Sequence, residues 1–196
     1  MTIAQRVRVR EIKLLSDHWY VLKAATFDFL RRDGRWQTST RESYDRGNGA
    51  VILLYNLARR TVVMTRQFRY PAFANGHDDL LIEAPAGLLD AATPEECIRA
   101  EAEQEAGYRV REARQVFDAF MSPGAVTERL HFFVAEYEPT DRIGAGGGLE
   151  AEGEDIEVFE LGFDEALVMC GNGEIRDAKT IMLLQYAALN LFGQKP

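Results

Sequence analysis

Up to about residue 45, runs of apolar and polar side chains follow the period of strands. Residues 7–15 and 19–31 read as two strands, the second ("YVLKAATFDFLRR") with imperfect alternation. The Asp-Gly within "RDGRW" at residues 32–36 marks a hairpin turn, and "WQTSTRESY" is the returning strand. The pattern then changes. "AVILLY" at residues 50–55 is apolar throughout, as a strand covered on both faces would be. "TVVMTRQFRY" at 61–70 and "LLIEAP" at 80–85 are further strand candidates. A helical period follows from residue 94, then strands in "RQVFDAFM" and "RLHFFVAEYE". A glycine-rich loop enters one more strand at "DIEVFEL", and two apolar-periodic helices, "FDEALVMCGNG" and "DAKTIMLLQYAALNLF", close the chain. Many strands, one helix, more strands and two helices predict a mixed α/β (α+β) layer architecture rather than repeated βαβ units. The all-strand residues 1–45 predict a separate β region, and residues 46–196 the main domain.

Composition narrows the function classes. The chain has 196 residues and 46% apolar residues, enough for a real core. Its net charge of −8, with no long basic run, argues against nucleic acid as a partner. No stretch approaches the length of a membrane span, and the first residues hold no apolar core of signal-peptide length. Cys97 and Cys170 lie far apart, which fits free thiols in a reducing, cytoplasmic compartment. His18, His77 and His131 have no common ligand spacing, so no zinc site is read.

The chemistry concentrates in "EAPAGLLDAATPEECIRAEAEQEAGY", residues 83–108. Thr93 is placed as an N-cap, Pro94 at the first helical position, and Glu96 completes a capping box. Gly107 is the expected stop, so the helix spans about 94–106. At about 100° per residue, Ile98, Ala102 and Ala106 form an apolar arc, while Glu96, Arg99 and Glu103 face solvent, with Arg99 and Glu103 as an i,i+4 pair. Glu101 and Glu105 fall at the edge of the apolar arc, with Gln104 nearby. Two like charges there lose hydration and repel unless a cation joins them. A hard divalent ion suits them, since it takes carboxylates together with substrate phosphates. Solvation, or pairing with distant Arg or Lys, is the other reading that spacing alone allows.

The same stretch resembles the Nudix box, G-x5-E-x7-R-E-U-x-E-E-x-G-U with U apolar. Gly87 opens the matching run, and Glu101, Ala102, Glu105, Gly107 and Tyr108 occupy its later positions. Thr93 stands near the first Glu of the box, Ala100 at its Arg, and Gln104 at the first Glu of its pair; the span from Gly87 to Gly107 is one residue short. "RGNGAVILLYN", "TRQFRYPAFANGH", "LIEAPAGLLD", "MSPGAVTERLHFFVAEY", "EGEDIEV" and "GEIRDAKTIMLLQ" extend the likeness to the nucleoside-diphosphate-sugar branch of the Nudix hydrolases.

That resemblance implies an α/β/α sandwich with a mixed sheet, and a homodimer whose N-terminal antiparallel strands help form the partner's site. It implies Mg²⁺-dependent cleavage of a diphosphate bond, with Mn²⁺ as an alternative ion. GDP-mannose, split to GMP and mannose 1-phosphate, is the first substrate it suggests, and ADP-ribose the second. Glu101, Glu105, Glu152 and the Ala86 carbonyl are its metal ligands, with Glu101, Glu105 and Glu152 also the catalytic carboxylates and Glu154 a neighbouring candidate. Ser39, Thr40, Arg41, Arg69, Glu128 and Lys179 are its substrate-binding residues, and Arg66 is a weaker candidate. The glycines at 144, 146, 147, 148 and 153 predict a mobile acidic loop that closes a base over the substrate. Phe68 is assigned to core packing. Because Ala100 and Gln104 replace charged residues of the box, a Nudix-fold nucleotide-binding module with impaired catalysis remains the alternative.

Overall fold

The computed structural model describes residues 2–89 and 92–193, apart from the Glu152 side chain. The chain divides into two compact units: Met1–Asn48 with Phe120–Arg129, and Gly49–Ala119 with Leu130–Pro196.

The first unit carries a three-stranded antiparallel sheet of β1 (Val7–Asp17), β2 (Val21–Leu30) and β3 (Trp36–Asp45). β2 and β3 pair without a register shift from Val21↔Asp45 to Leu30↔Trp36, closed by the expected hairpin. β1 pairs with β2 through two register shifts, after Val9 and after Leu14. The segment 120–129 joins this unit by extending beside the end of β3, where the Tyr44 N–H donates to the Ala125 carbonyl at 2.8 Å and the Thr127 N–H to the Tyr44 carbonyl at 3.1 Å.

The second unit is built on β4 (Gly49–Asn56), the apolar run, which lies at the middle of a mixed sheet. β5 (Thr61–Gln67) and β7 (Ala86–Leu88) pair with β4 antiparallel, and β9 (Arg129–Glu136) pairs with it parallel. β6 (Leu81–Glu83) and β10 (Glu157–Gly162) both pair with β5, and β8 (Arg114–Phe120) lies beside β9. Two helices explain why β4 has no polar face. Ala50, Ile52 and Leu54 join one core with Ile98, Ala102 and Ala106 of the α2 region, where α2 is Pro94–Gln104. Alternation turns Val51 and Leu53 the other way, and α4 (Ala178–Asn190), with its buried Leu183, Leu184 and Ala187, packs on that face. Helices therefore cover both faces of β4, as the expected sandwich requires. α3 (Phe163–Asn172) follows directly from β10 and packs on α4.

The structure differs from the sequence expectation at several places. The strand expected over 61–70 ends at Gln67, because Pro71 favours the start of a short helix, α1 (Tyr70–Ala74). Phe68 is therefore not in the core; it is 56% exposed and packs beside Phe73. Arg99 pairs with Glu95 rather than Glu103, and Glu103 lies 3.7 Å from Arg109. Arg99 also donates to the carbonyls of Val110 and Arg111, which its distance along the chain hid.

Candidate functional site

Local sequence places the two carboxylates. Thr93 accepts from the Glu96 N–H, and Glu96 returns the bond to the Thr93 N–H at 3.0 Å, so the capping box forms and fixes where α2 begins. Gly107 ends the helical turn with φ of +76°, while the Tyr108 N–H reaches back to the Ala102 carbonyl at 3.0 Å. Between these stops the helical period buries Ile98 and Ala102, and carries Glu101 and Glu105 to the neighbouring flank.

The floor opposite them is residues 83–87. This segment is held from three sides: the Pro85 carbonyl accepts from the Ile52 N–H at 3.0 Å, the Ala84 N–H donates to Thr180 Oγ1 at 2.7 Å, and the Ala86 N–H donates to Glu105 Oε2 at 2.9 Å. Gly87 lies against Glu101 so closely that a Cβ there would overlap its carboxylate. Glycine at 87 therefore lets the Glu101 carboxylate lie against this floor, and a side chain there would push that carboxylate aside.

Glu105 is 2% exposed. Burial pushes its carboxyl up to about 8, the charges of Glu101 and Glu154 push the same way, and the Ala86 N–H and Arg69 offset them only in part. Its charge is therefore under-compensated by the protein. Hard oxygen donors with surplus negative charge fit a divalent cation. Among the described residues, no group of three or more His, Cys, Asp or Glu is gathered as a complete metal cage. The side chain of Glu152, the expected third carboxylate, lies outside the described residues.

The first part of the glycine-rich loop is anchored on the end of the box helix. Ile143 and Gly144 donate to the Gly107 carbonyl, Gly147 to that of Glu105 at 2.9 Å, and Gly148 to that of Gln104 at 3.1 Å. These bonds satisfy carbonyls at the C-terminal end of α2 that helix geometry leaves open. Gly146, at φ +71°, sits where a Cβ would overlap the Glu105 carbonyl. From this anchor the chain runs into the single turn Glu150–Glu152, and Glu154 folds back to accept from the Leu149 N–H at 2.9 Å. Gln104 itself is exposed, as is Ala100.

Two of the expected substrate cations share one anion. Glu83, at the end of β6, accepts from Arg69 Nε at 2.8 Å with one oxygen and from the Lys179 ammonium with the other. Lys179 also donates to Asp177 at 2.9 Å. It is neither a solvated helix-start lysine nor a lone charge, with only 13% of its side chain exposed. Burial pushes the Glu83 carboxyl up, and Lys179 and Arg69 more than offset that, so it lies below the usual range. Neither Glu83 nor Asp177 was singled out from the sequence. A lone carboxylate at the end of an otherwise apolar strand was the signal for Glu83. Arg66, the weaker candidate, is committed to Glu157 by two bonds at 2.7 and 2.8 Å.

Ser39, Thr40, Arg41 and Glu128 all belong to the first unit. Thr40 bonds Thr26 across the β2–β3 pair at 3.0 Å, and Glu128 lies 3.5 Å from Arg46. Arg41 lines a cavity of about 680 Å³ with Glu42, Ser43, Phe120 and residues 123–127; Ser39, Thr40 and Glu128 are not among its lining residues.

Residues 45–184 match the family model of the NUDIX domain, with the box helix and its floor inside that span. The chain belongs to the NUDIX family. Residues 6–44 match the model described as the GDP-mannose pyrophosphatase NudK N-terminal domain. The Nudix chain is 55% identical over 184 residues to a protein of Pectobacterium atrosepticum named GDP-mannose pyrophosphatase, covering 93% of this chain and 94% of that one. A protein of the same name from Salmonella arizonae is 52% identical over 185 residues, 94% and 96% of the two chains. One from Escherichia coli O1:K1 / APEC is 51% identical over 189 residues, 96% and 98%. The Nudix assignment gives the under-compensated Glu105 its context, since pyrophosphatases of this family work with a divalent metal. No helix among the described residues is long and apolar enough to cross a membrane.

Proposed function

We propose that this Nudix enzyme hydrolyses the diphosphate bond of GDP-mannose to GMP and mannose 1-phosphate, with Mg²⁺ as its ion. The observation that carries this reading is identity of 51–55% across more than nine-tenths of the chain to relatives bearing that activity in their names. Glu101, Glu105, Glu152 and the Ala86 carbonyl would hold the ion. When bound, it supplies charge neutralisation on the phosphate oxygens and lowers the pKa of a water. Arg69 and Lys179 bind the diphosphate and keep its phosphorus atoms in line for attack. Glu152 accepts the proton of the attacking water on a carboxylate oxygen. The water oxygen bonds to one phosphorus, the bridging P–O bond breaks, and two monophosphates leave. Ser39, Thr40, Arg41 and Glu128 serve the nucleoside-sugar, the first three on the neighbouring subunit's substrate.

In this reading residues 1–45 are the dimerisation region and 46–196 the hydrolase domain of a homodimer. Ile12 and Leu14, two apart on β1 and therefore on one face, are 63% and 55% exposed, which supports a partner for that strand. The free thiols Cys97 and Cys170 support a cytoplasmic setting.

The test is product release from a panel of nucleoside diphosphate sugars, with Mg²⁺ and with chelator. Mg²⁺-dependent formation of GMP and mannose 1-phosphate is expected, with kcat/KM for GDP-mannose above that for ADP-ribose. A ratio at or below unity overturns the substrate. Binding of GDP-mannose without turnover on any member overturns the activity in favour of a binding module.

A further inference from the structure

Glu83 is a buried carboxylate that the proposed chemistry leaves without a task. Only 3% of it is exposed, a placement that costs stability unless cations answer it. Both of its oxygens are taken, one by Arg69 and one by Lys179, so it is not available as a metal ligand like Glu101 or Glu105. The two cations come from distant parts of the chain, 14 and 96 residues away. Each keeps donors for another partner. Glu83 takes the Nε of Arg69, and among the described residues the two terminal nitrogens have no hydrogen-bond partner. Lys179 has three N–H groups, and Glu83 and Asp177 use two of them.

The surroundings fix this arrangement further. Asp177 caps α4, accepting from the Thr180 N–H at 3.0 Å and from Thr180 Oγ1 at 2.6 Å. Thr180 Oγ1 in turn accepts from the N–H of Ala84, the residue after Glu83. The end of β6 and the start of α4 are therefore tied twice, once by the Glu83–Lys179 pair and once by Ala84–Thr180.

We infer that Glu83 is a positioning residue, whose single buried carboxylate sets the spacing of Arg69 and Lys179 so that both cations meet the same diphosphate. This rests on the reading of the site as a nucleotide-sugar hydrolase and adds to it the group that orients the substrate's cations. Glu83 touches neither the substrate nor the ion. Loss of its charge removes contacts made to the diphosphate before and during reaction alike, which raises KM more than it lowers kcat.

The experiment measures kcat, KM and Tm on GDP-mannose with Mg²⁺ for the wild type, Glu83→Gln, Glu83→Asp, Arg69→Ala and the double variant Glu83→Gln/Arg69→Ala. Tyr137→Phe is the control for destabilisation alone; it loses the bond between the Tyr137 hydroxyl and Thr61, at 2.7 Å, where Thr61 begins β5 and Arg69 follows its other end. Glu83→Gln is expected to raise KM about tenfold with kcat changed less than about threefold. Glu83→Asp keeps the charge but is one methylene short of bridging both cations, so its KM is also raised. The double variant is expected to be more impaired than Arg69→Ala alone, because Lys179 still loses its partner, but by less than the product of the two single effects, because the Glu83–Arg69 interaction is lost only once. Tyr137→Phe is expected to lower Tm with KM unchanged. Glu83 variants that lower Tm and leave KM alone overturn the positioning role, as do a wild-type KM for Glu83→Asp or single effects that multiply in full in the double variant. A wild type that turns over GDP-mannose while Glu83→Gln leaves KM unmoved sinks this inference only. A wild type that neither binds nor cleaves GDP-mannose sinks it together with the activity it rests on.

Discussion

Burial pushes the Glu105 carboxyl up from 4.5 to about 8, and the charges of Glu101 and Glu154 push the same way. A carboxyl raised on folding binds its proton more tightly in the native state. Its contribution to stability is complete below 4.5 and is lost as pH rises through about 8. Thermal melts in chelator should therefore show Tm falling across that window, and Glu105→Gln should flatten the fall and melt higher above it. A slope unchanged in Glu105→Gln would assign the dependence elsewhere. Added Mg²⁺ should stabilise the wild type more than the variant, by mass action on the folded state. The helical face makes a second prediction. Glu101→Ala should lose activity by about 10²-fold or more, whereas Glu103→Ala, exposed and 3.7 Å from Arg109, should change kcat little. Equal losses would mean that Glu101 does not face the ion. The surplus charge on this flank was legible from the period of α2. The raised carboxyl was not, because burial of Glu105 also depends on residues 83–87 and on the loop from 143, which only the folded chain brings near.

At the scale of elements, α2 is held at each end by different means. Its N-terminus is a local affair of Thr93, Pro94 and Glu96, all within four positions. Thr93→Ala should cost about 1 kcal/mol in denaturant unfolding and leave KM unmoved. The C-terminal end is held across the chain by the glycines of residues 144–148. Gly146→Ala must adopt a strained positive φ and push on the Glu105 carbonyl, so it should cost more than about 1 kcal/mol. It should also lower kcat, since this anchor leads directly to Glu152. A Gly146→Ala enzyme with wild-type kcat would show that the anchor does not position the acidic turn. These glycines read from sequence as freedom. In the fold, the N–H groups of Gly144, Gly147 and Gly148, with that of Ile143, find carbonyls, and the absence of Cβ atoms is what lets two backbones approach.

For the whole molecule, the proposed dimer is the property to measure. Ile12→Asp with Leu14→Asp, both exposed on β1, should shift the mass in solution from dimer to monomer in light scattering. If Ser39, Thr40 and Arg41 serve the partner's substrate, KM for GDP-mannose should rise in step. A protein that is a monomer before substitution would overturn both. An apolar residue after a strand-like run reads as core, but the chain leaves the sheet at Gln67 and carries Phe68 outward.

What the sequence determined by itself was whatever short range decides: the strand and helix periods, the hairpin, the capping box, the stop at Gly107, and two glutamates one turn apart. Hydrogen-bonding and packing preferences over a few residues are enough for these. Only the folded chain shows that Arg99 also reaches carbonyls beyond the helix, that Gly87 makes room for Glu101, and that one carboxylate at the end of β6 holds cations 14 and 96 residues away. Those contacts depend on which elements become neighbours. Burial then sets the strength of each charge interaction, and burial is a property of the folded chain.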